Sequence, residues 1–130
     1  MGLAERQAMA QFKEGYLPEF QLKLNEAIGK PVEIAIDETS FSTVDGIRYL
    51  STSFFDRFVT DIQAICQDKL GKEALQEAIK KVQISYTAQD KAYKMDIANG
   101  TFSCQGKWEG SLGNDCPSAG MYKEFLVPRL

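Results

Sequence analysis

Apolar residues recur with a helical period over the first part of the chain. Phe12, Tyr16, Phe20, Leu24 and Ile28 follow one another at every fourth position, with Met9, Leu17 and Ala27 beside them. Such a stripe is the core-facing side of an amphipathic helix. Pro18 interrupts it. A proline there removes a backbone donor and crowds the previous turn, so it either kinks the helix or starts a second one. Gly29-Lys30-Pro31 supplies the stop, a C-terminal glycine followed by a proline.

The period then changes. Val32, Ile34 and Ile36 alternate with Glu33, Ala35 and Asp37, which predicts a half-buried strand closed by Asp37-Glu38-Thr39-Ser40. Residues 41–50 fit neither period, and Asp45-Gly46 reads as a turn. A second long helix is expected from about Ser53, with Ser53 and Asp56 as its capping pair. Phe55, Phe58, Val59, Ile62, Ile65 and Cys66 form its apolar face, and Gly71 is expected to end it. A shorter helix follows, with Leu75, Ala78, Ile79 and Val82 turned inward.

The clearest local signal is Asn99-Gly100 between two alternating runs, the residue pair a two-residue hairpin turn requires. That turn pairs Ala98 with Thr101, Ile97 with Phe102, Met95 with Cys104 and Tyr93 with Gly106. The apolar members then share one face, and Lys94, Asp96, Ser103 and Gln105 share the other. Pattern and turn agree on one register. Val82, Ile84 and Tyr86 form the preceding strand, joined through a Gln89-Asp90 turn, so a three-stranded meander is expected. Residues 106–120 break all periodicity with four glycines and a proline. Residues 121–127 fit a last strand or a short helix equally well.

These elements predict one α+β domain over residues 1–130: an antiparallel sheet of about four strands with helices packed on one face. The position of the first strand in that sheet is not determined by the pattern. The chain is long enough, and rich enough in apolar residues at 44%, to build its own core.

Charge and composition narrow the functional classes. A net charge of −3 gives no general attraction for a phosphate backbone. Lys69, Lys72, Lys80 and Lys81 are interleaved with Asp68, Glu73 and Glu77, the pattern of a solvated helix face, so no nucleic-acid partner is expected. No apolar run has membrane-spanning length, and no membrane partner is expected. The first eleven residues lack a signal-peptide core, and three cysteines are an odd count for a disulfide framework, which makes the cytoplasm the expected location.

The chain contains no histidine. Triads built on histidine and histidine-containing zinc sites are therefore excluded within one chain. Walker and dinucleotide glycine motifs are also missing. No cofactor and no metal is expected. Cys66 and Cys104 fall on apolar faces and read as small core residues. Cys116 lies in the glycine-rich segment, where Asp115 would oppose a thiolate; a Cys104–Cys116 disulfide is conceivable but disfavoured by a reducing compartment. Asn99-Gly100-Thr101 matches a glycosylation sequon, which the hairpin turn already explains.

Two groups of residues carry what functional signal there is. Trp108 opens the long loop, and with Asn114, Asp115 and Tyr122 forms a candidate protein-binding surface, Trp being a frequent interface anchor. The alternative is that Trp108 folds back onto the sheet. Asp37, Glu38, Tyr86 and Tyr93 are candidate polar groups of a pocket between sheet and helices. The expected function is accordingly a small non-catalytic binding or interaction protein with a protein partner. The alternative is a small-molecule-binding protein or a histidine-independent enzyme. A homodimer through the first helix is a further expectation.

Overall fold

The computed structural model describes all 130 residues. Two helices come first, α1 (Leu3–Gly15) and α2 (Leu17–Ile28). Pro18 stands in the first turn of α2, where its missing N–H costs nothing. The proline thus starts a second helix. Tyr16 falls at the break and is 56% exposed rather than part of the buried stripe. Gly29 closes α2 in the left-handed conformation, φ 86°.

Strand β1 (Glu33–Ile36) leads through a short turn at Glu38–Ser40 into α3 (Val44–Arg48). The expected turn at Asp45-Gly46 is instead the first turn of α3. The Thr43 side chain caps it by accepting the Gly46 N–H, so a local cap outweighs the turn propensity of the dipeptide. Helical backbone continues through a wider π-type stretch, Ser51–Asp56, into α4 (Arg57–Ile65). Ser53 is therefore not a cap. It is buried, and its hydroxyl donates to the Trp108 carbonyl at 2.7 Å.

Gly71 does not end a helix either. Asp68 caps α5 (Lys69–Ala78), and Gly71 lies inside that helix. A side chain there would strike the Ile65 carbonyl at the end of α4, so the glycine permits close packing rather than marking a stop.

Strands β2 (Lys81–Tyr86), β3 (Lys94–Ala98) and β4 (Thr101–Gly106) complete a four-stranded sheet of order β1-β2-β4-β3. The hairpin has the expected register, with Ala98 opposite Thr101, Ile97 opposite Phe102 and Met95 opposite Cys104. Asn99 and Gly100 both have positive φ, 53° and 80°. Tyr93 lies just outside β3, and Gly106 pairs with Tyr86 instead.

The expected antiparallel meander is not what forms. β1 runs parallel to β2 and β2 parallel to β4, so only the hairpin is antiparallel. β4 carries Phe102 and Cys104, both buried, whereas β3 alternates half-buried Met95 and Ile97 with exposed Lys94 and Asp96. The strand without charged residues takes the interior position, and the strand carrying Lys94 and Asp96 takes the edge. The connection over residues 87–93 is long enough to carry the chain past β4. At its start Thr87 donates to the Gly106 carbonyl, and at the other end of β2 Lys80 and Lys81 donate to that of Gly100.

One sheet face carries Val82, Ile84, Tyr86, Phe102 and Cys104, all buried, and the other carries half-buried Lys81, Gln83, Ser85, Thr101, Ser103 and Gln105. An aromatic network fills the space behind the buried face. Phe58 stacks on Phe102 at 5.1 Å, Phe54 on Phe58 at 5.0 Å, and Phe41 on Tyr86 at 5.3 Å. The tail forms a short helix, α6 (Met121–Leu126). No helix is long and apolar enough to cross a membrane.

Candidate functional site

Because β1, β2 and β4 are mutually parallel, their C-terminal ends lie along one edge of the sheet. Polar groups gather there, the usual place for chemistry in parallel sheets. Asp37 and Glu38 follow β1, Tyr86 ends β2, and Glu109 lies beyond β4. Tyr86 donates its phenol hydrogen to Glu109 Oε1 at 2.8 Å, and Thr43 Oγ1 donates to Glu109 Oε2 at 2.5 Å. Ser40 adds a bridge, donating to the Asp37 carbonyl at 2.6 Å and accepting the Tyr86 N–H at 2.9 Å.

Each group in this cluster is already occupied by another. Both Glu109 oxygens accept hydroxyl donors, Glu38 pairs with Lys13 at 3.0 Å, and Asp37 accepts from Thr39 at 3.0 Å. Burial, with the Glu109 carboxylate beside it, holds the Tyr86 phenol above its ordinary range. A phenol so held remains protonated and acts as a donor. Tyr93, half-buried, does not share a hydrogen bond with this cluster. The structure thus brings Asp37, Glu38 and Tyr86 to one edge, ties them to each other and to neighbouring groups, and leaves Tyr93 outside.

The glycine-rich loop is closed on itself. Asp115 accepts the Lys91 N–H at 2.8 Å and the Ser111 N–H at 2.7 Å, one through each carboxylate oxygen. Those N–H groups hold its pKa below the usual carboxylate value. Trp108 lies in the core with no exposed surface, its indole donating to the Ser85 carbonyl at 3.1 Å. It folds inward, against Phe54, and is not available as an exposed anchor. Tyr122 is equally buried, packed edge-on against Phe54 and Phe58. Of Trp108, Asn114, Asp115 and Tyr122, only Asn114 is exposed. All three cysteines are free thiols. Cys116 is buried, and desolvation, with the Asp115 charge adding to it, raises its pKa to about 11.

The hollow of a different kind is a trough between α1 and α3. Its larger part, about 320 Å³, is lined by Ala8, Gln11, Phe12, Tyr16, Ile47 and Arg48. A smaller part, about 150 Å³, adds Ala4, Gln7 and Val44 and shares Ala8, Gln11 and Arg48 with the first. The small side chains of Ala4 and Ala8 open the groove, while Phe12 and Ile47 close its floor. Tyr16 stands exposed at one end. Arg48 is exposed and forms no ion pair. The helical stripe and its interruption at Pro18 were legible signs of this region, but α3 was not predicted, so its groove could not be.

Comparison with family models, with curated proteins and with solved structures finds no match to this chain.

Proposed function

We propose that this chain is a non-catalytic binding module that seats a helical segment of a partner protein in the trough between α1 and α3. The observation that carries this reading is the character of that trough. It has an apolar floor, an exposed tyrosine at one end and an arginine without an ion-pair partner along its wall. Tyr and Arg are among the residue types that most often dominate binding energy, and a groove of mixed polar and apolar lining beside a helix suits one face of an amphipathic helix. The partner segment would place one apolar side chain in the trough beside Tyr16 and a carboxylate against Arg48.

The closed chemistry elsewhere supports the same reading. A catalytic site needs groups free to meet a substrate, whereas the strand-end carboxylates and hydroxyls bind one another. In this reading helices shield one sheet face and the partner meets the helical layer. Three free thiols accord with work in a reducing compartment such as the cytoplasm.

Selection of displayed helical peptides against the folded protein tests the proposal. Enriched peptides are expected to combine an apolar side chain with an acidic one on a single face. Gln11→Trp, which fills the trough from an exposed position, should abolish their binding. Tyr16→Ala and Arg48→Ala should each weaken it by about tenfold or more. Peptides that bind Gln11→Trp as tightly as the native chain would count against the trough as the site.

A further inference from the structure

Strand β3 ends the sheet, and its outer edge pairs with no other strand. The two-residue turn makes Ala98 and Thr101 a hydrogen-bonded pair, and the antiparallel alternation gives Asp96 and Lys94 the same relation to β4. Met95 and Ile97 therefore direct their N–H and C=O groups away from β4. No backbone hydrogen bond outside the strand ladders involves any residue from Tyr93 to Ala98. Lys94 and Asp96 are exposed and form no ion pair with any other residue. Met95 and Ile97 are only half-buried.

We propose that β3 is the seam of a symmetric homodimer in which two copies pair antiparallel, Met95 facing Met95 of the partner subunit. The side-chain pattern selects this register. With the two-fold axis at Met95, Lys94 lies opposite Asp96 of the partner subunit, and Asp96 opposite Lys94 of the partner subunit. Both pairs fall at non-hydrogen-bonded positions, where cross-strand side chains are closest. Tyr93 then faces Ile97 of the partner subunit on the apolar side, so polar and apolar faces continue unbroken across the seam. The neighbouring register, centred on Asp96, would set two carboxylates against each other and is disfavoured. A two-fold contact of this kind uses both copies of the edge and closes on itself, so it stops at two subunits. It is independent of the trough between α1 and α3.

Charge exchange tests the register. Sedimentation velocity of the full chain over a range of concentrations should show a monomer–dimer equilibrium. Lys94→Glu sets two like-charge pairs across the seam, and so does Asp96→Lys. Each should weaken the dimer by about tenfold, with the circular dichroism spectrum unchanged because both side chains are exposed. An equimolar mixture of the two variants restores opposite charges at both positions and should recover native affinity as a heterodimer. Met95→Pro removes an outward N–H without touching the β4 ladder and should also disrupt pairing. A native chain that stays monomeric at its highest soluble concentration would overturn the proposal. So would a dimer that neither charge variant weakens, or a mixture that gains nothing over its components.

Discussion

Asp115 joins two segments through its two carboxylate oxygens, accepting Ser111 N–H from its own loop and Lys91 N–H from the β2–β3 connection. These bonds favour the charged form, so its folded pKa lies below the ordinary value of 3.8. Its stabilising contribution is therefore complete above that value and is lost as pH falls through the depressed folded pKa. Thermal melts of the native chain and Asp115→Asn should differ at pH 7, with the gap closing in strong acid. A gap that is constant across that window would contradict the assignment. The thiols give a second residue-scale prediction. Burial raises the pKa of Cys66, Cys104 and Cys116, the last to about 11. At pH 8 the folded protein should react with a thiol reagent slowly, half-buried Cys66 first, and unfolding should release all three. Rapid native labelling of Cys116 would contradict its burial. Apolar faces made the environments of Cys66 and Cys104 legible in the sequence. Trp108 was not legible, because its inward direction depends on Ser85 and Ser53, residues 23 and 55 positions away.

At the scale of elements, local signals succeeded where one stretch of chain supplies both the pattern and its punctuation. The Asn99-Gly100 hairpin and the Gly29 helix stop are such cases. They failed where a distant element decides. Gly71 looks like a helix end but is a helix interior residue lying against the Ile65 carbonyl. Propensity alone would have Gly71→Ala stabilise α5 by up to about 1 kcal/mol. Packing reverses that sign, and a loss of about 1–3 kcal/mol is expected from equilibrium urea unfolding. A stabilised Gly71→Ala protein would show that α4 and α5 approach less closely than described. Asp61 is decided by a distant element as well. It is buried, and its carboxylate accepts N–H groups of Gly120 and Lys123 at 3.1 Å each, tying α6 to α4. Asp61→Ala should cost about 1–2 kcal/mol by the same measurement, since it removes a charged cap from the start of α6; an unchanged midpoint would mean that α6 docks without it.

At the scale of the molecule, the consequential difference from the sequence reading is strand order. The pattern of alternating runs specified four strands and a hairpin, and the expected meander set β3 beside β2, where β4 lies instead. Sequential neighbours usually pair, and β1 with β2 and β3 with β4 do, but β2 and β3 do not. Placing β4 inside makes β1, β2 and β4 parallel, gathers the ends of those strands into the Tyr86–Glu109–Thr43 cluster, and leaves β3 uncovered. The candidate pocket groups Asp37, Glu38 and Tyr86 were therefore legible as residues of one region, while their mutual satisfaction was not. The trough between α1 and α3 arises from a helix the pattern did not resolve. The strand order is tested most directly by nuclear Overhauser contacts between backbone protons in the labelled protein. Contacts from Val82 and Ile84 to the Phe102–Cys104 stretch, in the staggered pattern of parallel strands, are expected. Close α-proton contacts between β2 and β3, the mark of an antiparallel meander, would contradict it.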